Sequence, residues 1–214
     1  MELTTWRPTP RALVTAALAL VVVLVLGGGV WFWLSARAER AQATHADALA
    51  HAQLARNPQA PPTARTTAIS ALEAALAQAP DAGLAGQSAY ELGSLRYDLG
   101  QYEPARAAYT IALARTSSAT VRTLARAGIA TTWESERNFP KAIEAYTAAL
   151  GAAGTEKGAP FFREDLLIGL ARNQELAGRR DDAIQTYRRV LKEVPKLRRE
   201  DEVRGRLASL GVAG

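Results

Sequence analysis

Leu72, Tyr109, Tyr146 and Tyr187 are separated by 37, 37 and 41 residues, and each has an alanine four residues before it. In Leu92–Leu113, LGSLRYDLGQYEPARAAYTIAL, a Leu-Gly pair comes first and a Gly-x-Tyr turn second. An Ala-x-x-x-Tyr-x-x-Ala pattern follows. Ile129-Ala130, Trp133, Phe139, Ala142, Tyr146 and Ala149 repeat that order, as do Leu170-Ala171, Gly178, Ala183, Tyr187, Val190 and Pro195. A period of this length means that one small unit is stacked on copies of itself, each burying the apolar face its neighbour cannot bury alone. The chain is therefore expected to be an array rather than a globule wrapped around an active site.

Each unit reads as a pair of helices. Alanine and arginine are abundant, while β-branched and aromatic residues are sparse beyond the N-terminal segment, a balance that favours helix and disfavours sheet. The pattern predicts helices over about Ala64 to Gln78, Leu84 to Leu99 and Pro104 to Ala114. The first stops at Pro80, and a turn at Gly100-Gln101-Tyr102 joins the other two. The next pair covers Ala119 to Leu150, and the Gly-rich stretch Gly151 to Pro160 is a loop between units. A final helix over Glu200 to Leu210 places Val203, Leu207 and Leu210 on one face and reads as a cap for the open end. Small residues at Gly93, Ala130 and Ala171, facing Ala105, Ala142 and Ala183, let paired helices approach closely. The three tyrosines then fill the gap to the next hairpin.

Ahead of the array, Ala12 to Leu34 runs for 23 residues without a charge, where about 20 suffice to cross a bilayer as a helix. Trp6 lies before it and Trp31 and Trp33 at its end, as expected of interfacial anchors, and Arg11 and Arg37 close it off. The rival reading is a cleaved signal peptide with Ala36-Arg37-Ala38 as the cleavage site. Its apolar core would be about 7 to 15 residues, far shorter than this one. Gly27-Gly28-Gly29 reads as a flexible point near the interface. From Ala36 to Ala55 no residue breaks a helix until Asn57-Pro58, so one helix is expected there, continuous with the anchor. Arg7 and Arg11 on one side match Arg37 and Arg40 on the other, so the positive-inside count ties. A short tail before a long single anchor is the usual shape of a protein whose folded part lies outside the cytoplasm.

The composition excludes several chemistries. Without cysteine there is no disulfide, thiolate metal site, cysteine nucleophile or lipid attachment point. His45 and His51 stand six residues apart, about 240° around a helix, too far for a shared metal; each is expected as an exposed polar residue. Gly154-Thr155-Glu156-Lys157-Gly158 lacks the Gly-Lys-Ser/Thr run of a phosphate-binding loop and reads as a linker. No local motif gathers a Ser, His and Asp set. A non-enzyme without cofactor or metal is expected. Between Arg179 and Arg206 ten basic residues are interleaved with six acidic ones, a solvated helix surface with pairs along its faces rather than a patch for anionic lipid or RNA.

The repeat spacing and residue order are similar to tetratricopeptide (TPR) repeats, whose period is about 34 residues. The layout as a whole resembles bacterial inner-membrane TPR proteins of the YfgM type. The shared layout is a short tail, one anchor, a linking helix, degenerate repeats and a charged cap ending in Arg-Leu-Ala-Ser-Leu-Gly. The implied fold is all-α: an N-terminal transmembrane helix, then a TPR-like α-solenoid of helical hairpins with a C-terminal capping helix. Its segments are a tail at 1–11, the anchor at 12–34, a juxtamembrane helix and linker at 35–62, repeats at 63–199, and cap and tail at 200–214.

The resemblance also implies protein partners, among them translocon components, chaperones or exported clients, and a domain on the periplasmic side of the inner membrane. A cytoplasm-facing scaffold that organises a membrane complex is the alternative. Because the first helix of each TPR hairpin lines the concave groove, register selects Gln87, Tyr90, Ser94, Tyr97 and Asp98, then Thr131 and Glu134, then Arg172 and Glu175. In this scheme Tyr90 and Tyr97 supply apolar contacts and Arg172 a charge. No Lys and Asn pair stands there to clamp a peptide carboxylate.

Overall fold

The computed structural model describes residues 10–153, 162–194 and 196–212. Trp6, Arg7, the linker Gly154–Gly158, Pro160 and Pro195 lie outside them. Among the described residues there are nine helices and no strand: α1 (Pro10–Ala55), α2 (Thr63–Gln78), α3 (Ala85–Asp98), α4 (Tyr102–Arg115), α5 (Ala119–Ser135), α6 (Phe139–Ala153), α7 (Arg163–Leu176), α8 (Arg180–Glu193) and α9 (Glu200–Ser209). The all-α solenoid expected from the sequence is the fold observed.

The helices pack as antiparallel hairpins, α1 with α2, α3 with α4, α5 with α6 and α7 with α8, each leaning on the first helix of the next. The first helices α1, α3, α5 and α7 also touch one another in series and form the inner rail of the stack. The turns of the last three hairpins repeat a single geometry. In α3–α4, the Gly100 N–H donates to the Tyr97 carbonyl and the Gln101 N–H to that of Arg96, with Gly100 at φ 72°. Gly178, at φ 75°, does the same after α7. This closure of a helix end needs a left-handed residue, which glycine adopts without strain. In α5–α6 the place is taken by Arg137, at φ 58°.

Three apolar clusters run along the stack. The first joins Ala48, Leu49, Ala52 and Ala55 of α1 to Ala68, Leu72 and Ala75 of α2 and to Leu92 and Leu95 of α3. The expected division at residues 62 and 63 thus falls between two helices that form one hairpin, and the stack reaches back into α1. The other clusters centre on Tyr109, and on Tyr146 with Tyr187 and the capping residues Val203 and Leu207.

The tyrosines fill gaps between hairpins as expected, but glycines make the room. A Cβ on Gly93 or on Gly128 would stand 2.6 Å from the Tyr109 ring, one on each helix flanking it, and a Cβ on Gly169 would stand 2.6 Å from that of Tyr146.

Two sequence expectations need correction. His45 is fully buried at 0% exposure: its Nε2 donates to the Ala79 carbonyl at 2.9 Å, and its Nδ1 shares a hydrogen bond with the Ser88 hydroxyl at 2.9 Å. It is a tie between α1, the α2–α3 connection and α3, which a helix taken alone cannot reveal. His51, half-exposed and 3.8 Å from Asp47, is nearer what was expected. Gly27–Gly29 is no break: α1 runs through it as helix, the flanking hydrogen bonds outweighing about 1 kcal/mol per glycine.

α1 includes a segment long and apolar enough to cross a membrane. All its side chains from Leu18 to Leu34 are exposed, Trp31 to 71%, whereas the core helix of a soluble protein would bury them.

Candidate functional site

The inner rail opens into a groove of about 560 Å³ between α3 and α5. Five of the nine residues selected by register line it: Tyr90, Ser94, Tyr97 and Asp98 from α3 and Thr131 from α5. Leu124, Ala127 and Gly128 complete the α5 wall, Arg56 stands at the mouth, and Tyr109 forms the base. The Tyr90 ring lies 5.8 Å from that of Tyr109, tilted by 41°. Tyr97 is held by Tyr102 at 5.6 Å and shares a hydrogen bond with the Ser135 hydroxyl at 2.9 Å. The Ser94 hydroxyl donates to the Tyr90 carbonyl at 3.1 Å and accepts from the Tyr109 hydroxyl at 3.4 Å. The hydroxyl bonds hold the rings of Tyr97 and Tyr109, and the Tyr90 ring rests against that of Tyr109.

Charge is confined to the groove's ends. Arg56 is taken up by Glu91 at 2.6 Å. Asp98 is exposed and has no ion pair among the described residues, leaving one free carboxylate beside two tyrosines. Gln87 is exposed on α3 but does not line the groove.

Glu134, Arg172 and Glu175 lie elsewhere and serve the stack itself. Glu134 accepts from the Tyr146 hydroxyl at 3.1 Å and from the Asn173 amide at 2.9 Å, and pairs with Arg172 at 2.6 Å. Glu175 accepts from Tyr187 at 3.2 Å and meets Arg206 at 3.4 Å. Burial, then the adjacent carboxylate, pushes the phenols of Tyr146 and Tyr187 well above their ordinary range. Burial alone would pull the Arg172 guanidinium down, but its hydrogen bond and attraction to Glu134 hold it above the usual arginine value. The sequence carries this device as Glu-x11-Tyr, at Glu134 with Tyr146 and Glu175 with Tyr187. In the preceding repeat Tyr97 occupies the glutamate's place and Tyr109 turns to Ser94 instead. Tyr97 and Ser94 both line the groove between α3 and α5.

Register also had the signal for the residues it missed. Leu124, Ala127, Gly128 and Thr131 are spaced i, i+3, i+4, i+7, one face of a helix. Trp133, which borders this wall in sequence, packs between the Arg106 guanidinium, 3.6 Å from its ring centre, and the Lys141 ammonium at 4.3 Å. Towards the C-terminus the basic residues are mostly paired: Arg189 with Glu193, Arg199 with Glu202, Arg204 with Glu200, and Arg198 with Glu164 and Asp165. Among the described residues no cluster of His, Asp or Glu is placed to hold a metal ion.

A Tetratricopeptide repeat family model matches residues 165–196, which take in most of α7, all of α8 and the residues after it. No curated protein matches the chain. A repeat of this kind indicates a protein-interaction module, and such all-helical repeats are typically scaffolds rather than catalysts.

Proposed function

We propose that the chain is a membrane-anchored module that seats segments of partner proteins in the groove between α3 and α5. The observation that carries this reading is the wall of Tyr90, Tyr97, Leu124 and Ala127, with the unpaired Asp98 at its end. The occupant it fits is a peptide segment with an aromatic or branched apolar side chain for the wall and a lysine or arginine within reach of Asp98. The apolar, uncovered stretch of α1 supports an anchor, and the tail-anchor-solenoid layout supports a place like that of YfgM-type proteins. That place is the periplasmic side of a bacterial inner membrane, assisting export or assembly by holding clients, chaperones or translocon components.

The test is a binding titration of the full chain in lipid nanodiscs against a peptide library that varies both features. Tyr90→Ala should weaken apolar-anchored peptides about tenfold, and Asp98→Lys should weaken only those carrying the basic residue. Arg172 is left alone, since reversing its charge would place two carboxylates together inside the stack. Binding that ignores both substitutions removes the groove from the account. A topology reporter fused after Gly214 checks the side of the membrane: activity of a cytoplasmic reporter would turn the module into a cytoplasm-facing scaffold.

A further inference from the structure

We propose that a second pocket, where α1 leaves its apolar stretch, seats the phosphate of an anionic phospholipid headgroup; this rests on the membrane-anchored reading above. The pocket, about 580 Å³, lies between Leu34–Thr44 of α1 and the α2–α3 connection at Gln78–Gly83. Arg37 and Arg40 both line it. Three residues apart on a helix, they lie about 60° from one another and share a face. Both are exposed, Arg40 has no ion pair among the described residues, and Arg37 rests 5.7 Å from the Trp33 ring centre. The acid in the lining, Asp81, is engaged by Arg115 of α4, so the pocket presents positive charge.

Position and rigidity make this more than a basic patch. At about 1.5 Å per residue Arg37 and Arg40 stand about 4.5 and 9 Å beyond Leu34. The headgroup layer extends about 5 to 8 Å beyond the hydrocarbon on each side, so the two guanidinium groups straddle the level of the lipid phosphates. The opposite wall is pinned to α1, because the buried His45 holds the Ala79 carbonyl and the Ser88 hydroxyl at once. Gln42 packs where a Cβ on Gly83 would be, which keeps the connection against the helix. A fixed concavity with two arginines suits a phosphodiester, which guanidinium groups bind through paired N–H donors.

The experiment is native mass spectrometry of the full chain released from detergent, with phosphatidylglycerol or phosphatidylcholine of the same acyl chains. A basic residue near a membrane surface favours anionic lipid by about fivefold, so retention of phosphatidylglycerol should exceed that of phosphatidylcholine by about tenfold or more. Replacing Arg37 and Arg40 by serine should erase the preference. Replacing Arg188 and Lys192 on α8 by serine, an equal loss of charge, should keep it. Equal retention of the two lipids, or equal loss in both variants, would overturn the site. Displacement of the lipid by millimolar inorganic phosphate would reassign it to a free anion and likewise sink the lipid inference. Carbonate extraction separates the two levels: a chain released from membranes ends the anchored reading and the lipid site with it, whereas an integral chain without headgroup preference ends the lipid site alone.

Discussion

Gly128→Ala is the sharpest test of how the stack is built, because two effects of known sign oppose each other there. Gly128 lies inside α5, where alanine in its place would ordinarily stabilise the helix by about 1 kcal/mol. The new methyl would stand 2.6 Å from Cε2 and Cζ of Tyr109, about 1 Å inside carbon–carbon contact distance. The ring cannot retreat. On its other side it already lies against α3, where a Cβ on Gly93 would be 2.6 Å from Cδ1, and it is only 4% exposed. Overpacking of this kind costs about 1–3 kcal/mol. Collision wins because the ring is held from both sides, giving a net loss of up to about 2 kcal/mol and a Tm lower by up to roughly 6 °C. The assay is thermal unfolding of the full chain in detergent, followed by circular dichroism. In a Tyr109→Leu background the ring is gone and Gly128→Ala should raise Tm instead. Gly205→Ala in α9, whose methyl would meet nothing within 4 Å, should also raise it. A Gly128→Ala protein more stable than its parent with Tyr109 intact would refute the packing argument.

Other outcomes follow from the same structure. Arg137→Gly should stabilise by about 1 kcal/mol in thermal unfolding, since Arg137 holds the left-handed turn position that glycine fills between α3 and α4 and between α7 and α8. His45→Ala should cost about 3 kcal/mol, from the cavity and from the Ser88 hydroxyl and Ala79 carbonyl left without partners, while His51→Ala changes Tm little. Burial raises the Tyr109 phenol to about 12, above its unfolded value near 10. Its stabilising contribution is therefore complete below pH 10 and drains away as pH rises towards 12, and a pH series of Tm values for Tyr109→Phe should fall less steeply across that window.

How much of this was visible in the chain depended on whether the cause was local. Helix ends such as Glu200, and the turn at Gly100, follow from short-range rules, and the structure places them where the residues indicate. The hairpin formed by α1 and α2 was hidden because α1 lacks the Leu-Gly pair and turn signature, its pairing stripe of Ala48, Ala52 and Ala55 being plain alanine. Buried His45 depends on Ser88, 43 residues away, and no pattern within one helix reports that distance. Register on the first helix selects Tyr90, Ser94, Tyr97 and Asp98, and these share one face of α3 along the groove because helical periodicity is a local rule. The same register selects Glu134, Arg172 and Glu175 but does not report that each is engaged by another helix of the stack.

The unbroken α1 connects the two proposed sites and separates their electrostatics. From Leu34 to Arg56 at the mouth of the groove is about 33 Å along the helix axis, whereas at physiological salt a surface potential decays over about 8 Å. Charge at a bilayer surface would reach Arg37 and Arg40 and leave Asp98 untouched. Selection of a partner's basic residue would then be set by Asp98 and the tyrosines beside it, while lipid composition acts on the anchor end alone. Because no loop interrupts α1 between the two, and His45 ties it to the α2–α3 connection, the groove is held at one height and orientation relative to the apolar segment. A partner segment bound as proposed would meet the groove only where it emerges at that height, so the length of α1 would set which segments reach it.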